Sequence, residues 1–386
     1  MNVLMISDVY FPRINGVSTS IRTFAKEFRK RGHRVVLAVP DYGARGESDD
    51  DIVRIPSRRV VIDPEDRMMR CRNLAGLHER LGPTRPDIVH IHTPFLAHYA
   101  GVRLSKKLGV PCVVTYHTFF EEYLHHYVPF VPRSAVRFLA RTISRLQCNQ
   151  VGGVIVPSTA IRGVLRDYGV RSGIEVTPTG IDIEQFEGGN GNRFRAGRGI
   201  DEERPVLVYM GRLAFEKNIG FLLDVLDRVR ESFPDVLMVL AGEGPAARSL
   251  AEEAARRSLK RNVLFVGNLY QRQELLDCYS AGDVFVFASR TDTQSLVLLE
   301  AMALGVAVVS TAVLGTKDIL GAERGALVAD DELEDFVSKV ELLLRDKNLR
   351  ARIGGEGKAY VRGWTSSIMA ERMLKFYETV IAKEAS

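Results

Sequence analysis

DVFVFASRTDTQSLVLLEAM, Asp283 to Met302, changes character in the middle. It opens as an apolar, β-branched and aromatic run, passes through the polar stretch Arg290 to Ser295, and continues as an apolar helical pattern. A run apolar at consecutive positions leaves no face for water, so as a strand it belongs in a parallel sheet covered on both sides. Strand, short loop and helix in that order form the repeating unit of a doubly wound α/β domain.

The same alternation runs along the chain. NVLMIS, HRVVLAVP, DIVHIH, PCVVTYH, GGVIVPS and IEVTPTG read as strands in the first half; PVLVYMG, VLMVLAG, NVLFVG, DVFVFAS and AVVSTA do so in the second. At 386 residues the chain exceeds the ~250–300 residues at which one core stops growing. Two doubly wound, Rossmann-like α/β domains are expected, residues 1–179 and 180–364, with a boundary in the Gly- and charge-rich stretch 180–205. From Trp364 onward the pattern is helical. Spacing leaves open which domain receives this helix, and we assign residues 365–386 to the first.

Cys71, Cys112, Cys148 and Cys278 form no CxxC pair, which fits a reducing cytosol. The start, MNVLMISDVY, lacks a basic region and reads as a strand. No apolar run approaches the ~20 residues that span a bilayer. The charge is uneven: residues 1–180 carry a net +10 and the remainder −5. A basic first half suits an anionic partner, whether membrane lipid, phosphorylated substrate or nucleic acid.

Ligands of open parallel sheets bind beyond the carboxyl ends of strands, so the residues just after each strand are the candidates. After DVFVFAS, a helix starting near Ser295 would aim the amides of Thr293, Gln294, Ser295 and Leu296 at an anion. Asp292 would stand in the loop and Glu300 within the helix, both in reach of one ligand. The plainer alternative makes Asp292 a turn residue and Glu300 a partly buried acid with an Arg partner. After PVLVYM comes GRLAFEKN, where Gly211 allows close backbone approach and Arg212 and Lys217 suit a pyrophosphate. A solvated loop would hold the same residues. GEGP, Gly242 to Pro245, is a further loop where backbone could near a ligand.

In the first half Asn15 and Gly16 lie between a strand and a helix without the GxGxxG spacing, which disfavours a nicotinamide cofactor. Gly16 reads as room for a ligand at the helix start. His117 follows PCVVTY directly, where a histidine is either a satisfied structural residue or a ligand-facing one. His125 and His126 with Glu121 and Glu122 suggest a metal, yet no ligand set completes a site, and no metal is expected.

Together these residues resemble glycosyltransferase family 4, retaining enzymes of GT-B architecture. The E-x7-E motif of that family is matched by Asp292 and Glu300, its phosphate-binding Arg and Lys by Arg212 and Lys217, its glycine-bearing first loop by NGVS, and its histidine by His117. The likeness runs through essentially the whole chain in order. Two positions depart: Asp292 is one methylene shorter than Glu, and Ser295 stands where glycine is usual. The stretch from His92 to Pro129 is also similar to a subgroup that glycosylates diacylglycerol-type lipids, using UDP-glucose or GDP-mannose. In VPRSAVRFLARTISRLQ, Arg133, Arg137, Arg141 and Arg145 recur every four residues, with Val136, Phe138, Leu139, Ile143 and Leu146 between them. Such a helix could lie on an anionic interface at the inner membrane face, or could be an ordinary amphipathic surface helix.

The resemblance implies transfer of a hexose from a nucleotide-diphosphate sugar, a substrate and not a cofactor, with retention and without a metal. It implies two domains facing a cleft. Arg212 and Lys217 would stabilise the leaving diphosphate, Asp292 would meet the sugar hydroxyls and Glu300 the ribose. Gly267, Asn268 and Leu269 would hold the base, His117 the sugar near its 6-hydroxyl, and Gly16 would clear space. A soluble or polysaccharide-precursor acceptor, or nucleotide-sugar 2-epimerisation, is the alternative reading. A phosphorylase would need a pyridoxal-phosphate lysine that no segment proposes. Nucleic acid is not an expected partner, because no basic motif is interleaved with aromatics.

Overall fold

A computed structural model of the chain describes residues 1–43, 51–59, 67–70, 74, 76–77, 85–117, 119 and 132–385. The chain forms two compact units, residues 1–180 with 366–386, and residues 181–365.

The first unit holds a seven-stranded sheet in the order β3-β2-β1-β6-β7-β8-β9. Its strands are β1 Asn2–Ile6, β2 Arg34–Pro40, β3 Ile52–Ile55, β6 Ile88–Ile91, β7 Cys112–Thr115, β8 Gly153–Val156 and β9 Gly173–Val176, all paired in parallel. A separate antiparallel pair joins β4 Ser57–Arg59 to β5 Arg67–Met69. β1, β6, β7 and β8 are buried on both faces save Asn2, as their unbroken apolar runs require. Asn15 caps the helix Gly16–Lys30, its side chain accepting from the Ser18 amide at 2.8 Å.

The helix Ser366–Ala385 belongs to this unit and buries Met369, Met373, Tyr377 and Val380. It comes so close to β8 that a Cβ on Gly153 would lie 2.6 Å from the Phe376 ring, which explains the glycine. The Tyr377 ring packs edge-on against Phe28, and its hydroxyl lies 2.6 Å from His90 Nδ1.

The second unit holds a six-stranded sheet in the order β12-β11-β10-β13-β14-β15. The strands are β10 Val206–Met210, β11 Leu237–Ala241, β12 Val263–Gly267, β13 Val284–Phe287, β14 Ala307–Thr311 and β15 Ala326–Ala329, again parallel. Counted within the unit, this is the 3-2-1-4-5-6 order of a dinucleotide-binding sheet, with its reversal between β10 and β13. Both units are Rossmann-like, as expected. β3, β15 and the β4–β5 pair were not read from the sequence.

Candidate active site

The reversal point of the second sheet sets two loops side by side, because β10 and β13 pair directly, Leu207 opposite Val284 and Val208 opposite Phe285. After β10 the chain passes Gly211 and Arg212, turns through Phe215–Lys217, and enters the helix Ile219–Ser232. After β13 it passes Ser289 and Asp292 and enters the helix Leu296–Ala303. Three side chains join the loops: Asn218 Nδ2 donates to the Ala288 carbonyl at 3.1 Å, Thr291 Oγ1 to the Glu216 carbonyl at 3.2 Å, and Lys217 Nζ to Asp292 Oδ1 at 2.6 Å. The Lys217–Asp292 pair is about four-fifths shielded from solvent, with exposures of 21% and 16%. Position after a strand assigns Lys217 and Asp292 separate tasks and does not indicate that the two pair.

The second oxygen of Asp292, Oδ2, is buried without a hydrogen-bond partner among the described residues, and so is Ser295 Oγ. Ser295 precedes the first helical residue with φ +74° and ψ 73°, and its side chain caps nothing. That left-handed backbone accounts for the glycine usual here, since a Cβ is penalised in that region. The loop after β14 closes on the same corner: the Gly315 amide donates to the Asp292 carbonyl at 3.0 Å. A Cβ on Gly315 would lie 1.9 Å from the Thr293 carbonyl oxygen, so only glycine permits the approach. Thr293, Gln294, Ser295 and Leu296 thus form a turn held from both sides, ending at a helix start whose first amides have no intrahelical acceptor.

Glu300 lies inside that helix, and its partner is a tyrosine, not an arginine: Tyr279 Oη donates to Glu300 Oε2 at 2.6 Å. Burial pushes the Glu300 carboxyl up, while the Tyr279 hydroxyl and Arg272 pull it back. Arg212 is half-buried, and its carbonyl accepts from Tyr209 Oη at 3.2 Å. In the GEGP loop a Cβ on Gly242 would lie 2.0 Å from the Gly211 carbonyl oxygen, so glycine lets the two loops approach. Gly267 ends β12, Asn268 Nδ2 donates to Glu243 Oε2 at 3.0 Å, and Leu269 packs on the core. The structure therefore ranges Gly211, Gly242 and Gly267 along one carboxyl edge, joined through Gly211 N to Ala241 O at 2.9 Å and Gly242 N to Gly267 O at 2.8 Å.

In the first unit Gly16 is the first helical residue, and a Cβ there would meet no protein atom within 4 Å, so packing does not demand glycine. His117 follows β7, with its Nε2 3.1 Å from Nδ1 of His92, which follows β6. Burial pulls the His117 imidazole down to about 4 and His92 well below its usual range, so both are neutral at pH 7. His125, His126, Glu121 and Glu122 lie outside the described residues, among which no three His, Cys, Asp or Glu side chains are grouped as metal ligands.

The helix Arg133–Cys148 turns Val136, Ala140, Ser144 and Gln147 inward. Its solvent side carries Phe138, Leu139, Ile143 and Leu146, 73%, 54%, 40% and 54% exposed, in a single helical stripe. Arg137, Arg141 and Arg145 stand on the same exposed side, each one residue before a member of the 138–142–146 row. An ordinary surface helix would bury its large apolar residues; this one presents them. No described helix is long and apolar enough to cross a membrane.

Residues 14–185 match the model of Glycosyltransferase Family 4, and residues 191–360 that of Glycosyl transferases group 1. The chain is 31% identical over 366 residues to the alpha-monoglucosyldiacylglycerol synthase of Streptococcus pneumoniae, covering 89% of this chain and 82% of that protein. It is 27% identical over 398 residues to a GDP-mannose-dependent alpha-mannosyltransferase of Mycobacterium tuberculosis, covering 98% and 97%. The structure of Anabaena HepE in complex with UDP and glucose shares the fold, with a TM-score of 0.79 at 16% identity over 98% of this chain and 100% of that one. The two matched models, the extent of the likeness and the paired Rossmann-like units agree: the chain belongs to glycosyltransferase family 4 and is a glycosyltransferase of the GT-B fold.

Proposed function

We propose that the protein moves a hexose from a nucleotide-diphosphate sugar, of the UDP-glucose or GDP-mannose type, to a hydroxyl of a diacylglycerol-type lipid or glycolipid. The transfer proceeds with retention at the anomeric carbon and needs no metal or other cofactor. The observation that carries this reading is the corner after β10 and β13, where a cation, an acid and a helix start converge through the 2.6 Å contact of Lys217 with Asp292. Asp292 Oδ2 is an acceptor without a donor, suited to a sugar hydroxyl, and Ser295 Oγ can donate to a phosphate oxygen at the helix start. As the glycosidic bond breaks, the leaving diphosphate gains charge, and Arg212, Lys217 and the helix amides stabilise it electrostatically. Glu300 accepts from the ribose, and Gly267, Asn268 and Leu269 hold the base. His117 meets the sugar, and Gly16 leaves room beside the diphosphate.

The acceptor half of the proposal rests on the exposed stripe of Arg133–Cys148 and on the +10 charge of residues 1–180. Apolar side chains enter the acyl boundary while Arg137, Arg141 and Arg145 meet anionic headgroups. On this reading the protein docks peripherally, from the cytosol, at an anionic membrane face.

The test is transfer from UDP-glucose and from GDP-mannose to diacylglycerol in phosphatidylglycerol vesicles, with and without EDTA. The expected product is an α-linked glycolipid formed equally in EDTA. A β-linked product, loss of turnover in EDTA, or sugar epimer released without acceptor would each overturn the corresponding part.

A further inference from the structure

We infer that His92 is a positioning residue that donates its Nδ1–H to His117 Nε2 and so holds His117 in the Nδ1–H form. This rests on the proposed function only where it sets His117 against the donor sugar.

A neutral imidazole carries one N–H and one bare nitrogen. His92 Nδ1 and His117 Nε2 are 3.1 Å apart, so one donates and the other accepts. If His117 donated, His92 would carry its proton on Nε2. That atom is buried without a hydrogen-bond partner among the described residues, in a side chain only 1% exposed. A buried N–H without an acceptor is the rarer and costlier defect; a bare ring nitrogen is the milder one. The proton of His92 therefore sits on Nδ1, and His117 Nε2 accepts it. A doubly protonated His92 is disfavoured by burial and by His90, whose ring lies 3.9 Å away.

His90 also fixes the plane of its neighbour. Its two nitrogens are held by Tyr377 Oη and Thr115 Oγ1, each at 2.6 Å, so the ring against which His92 lies cannot turn. His90 and His92 share a side of the chain because they are two residues apart at the end of β6. They reach His117 because β6 pairs with β7. The tautomer of an imidazole follows from the bond its other nitrogen makes. With Nε2 occupied by the His92 proton, His117 carries its own on Nδ1. In that form it cannot take a proton through Nδ1.

The experiment is nitrogen NMR of the full-length protein labelled at histidine, with the His117 signals assigned by loss in His117→Gln. In the unmodified protein at neutral pH, His117 Nδ1 should show the shift of a protonated ring nitrogen and Nε2 that of a bare one. The reverse pattern would overturn the inference without touching the transferase reading. His92→Asn, which keeps an amide donor near that position, should leave the His117 pattern in place. His92→Leu should mix the two forms and lower kcat about tenfold, in the range of lost orienting partners. If Asn and Leu lose equally, packing explains His92 and the inference falls. If the NMR pattern holds yet His117→Ala transfers sugar at the normal rate, the tautomer stands and the placing of His117 against the sugar falls.

Discussion

Ser295 turns the chain into its helix at φ +74°, a region that penalises any Cβ. The left-handed penalty of about 1–2 kcal/mol exceeds the chain entropy that glycine adds, about 0.5–1 kcal/mol. Ser295→Gly should therefore raise the stability of the second unit by up to about 1 kcal/mol in urea denaturation; a loss would sink the strain account. Arg212 is asked to stabilise charge that appears only as the diphosphate leaves. Arg212→Ala should cost about 3 kcal/mol of transition-state stabilisation, roughly a hundredfold in kcat, on the scale of a lost oxyanion donor. A drop below threefold would remove it from the mechanism. Both residues were legible from their places after strands. The partners of the acids were not: Tyr279 reaches Glu300 from 21 residues away, and Lys217 reaches Asp292 from 75. Such pairs depend on which strands lie side by side, which no local pattern encodes.

At the level of elements, the helix Arg133–Cys148 shows the same division. Its four-residue arginine step and amphipathic pattern are plain in the sequence, but a pattern does not say which face meets the core. The structure buries the small and polar side, Ala140, Ser144 and Gln147 with Val136, and leaves Phe138, Leu139, Ile143 and Leu146 outside. Full burial of one such side chain is worth about 1.5–3 kcal/mol. The double variant Phe138→Asp with Leu139→Asp should weaken binding to phosphatidylglycerol vesicles at least about tenfold, even if each side chain is only half inserted. Sedimentation with vesicles measures this, and unchanged binding would mean that another surface docks. The strands divide too. β10, β11, β13 and β14 were legible because every residue is buried. β3 and β4 were not, since their residues are largely half-buried or exposed and they exist through pairing with a neighbour.

Across the whole molecule, the first unit should respond to acid more sharply than the second. Burial holds His117 near 4 and lowers His90 and His92 well below the ordinary value near 6.5. Between those values the unfolded chain binds protons that the folded unit refuses, so stability is fully present above about pH 6.5 and lost as pH falls toward 4. Each such histidine contributes about 1.4 kcal/mol per pH unit within that window. Urea unfolding of the first unit, followed by limited proteolysis, should therefore weaken by at least about 2 kcal/mol between pH 7 and pH 5. Trp364 fluorescence reports the second unit, where Asp277 is held down at about 2 by Arg193, so that pair keeps its contribution between pH 7 and pH 5 and loses it only in stronger acid. Equal shifts in both units would mean that the histidines are not held neutral. The sequence by itself determined the α/β class, the two-unit plan, the charge asymmetry and the loops that carry Arg212, Lys217, Asp292 and His117. Burial periodicity and strand-end position are local, and residues a few places apart suffice to write them. Only the tertiary structure decided that Lys217 pairs with Asp292, that Tyr279 holds Glu300, that His92 stands behind His117, and which side of Arg133–Cys148 faces water. Those depend on the order of strands in each sheet and on competition between faces for one core, which the whole chain settles at once.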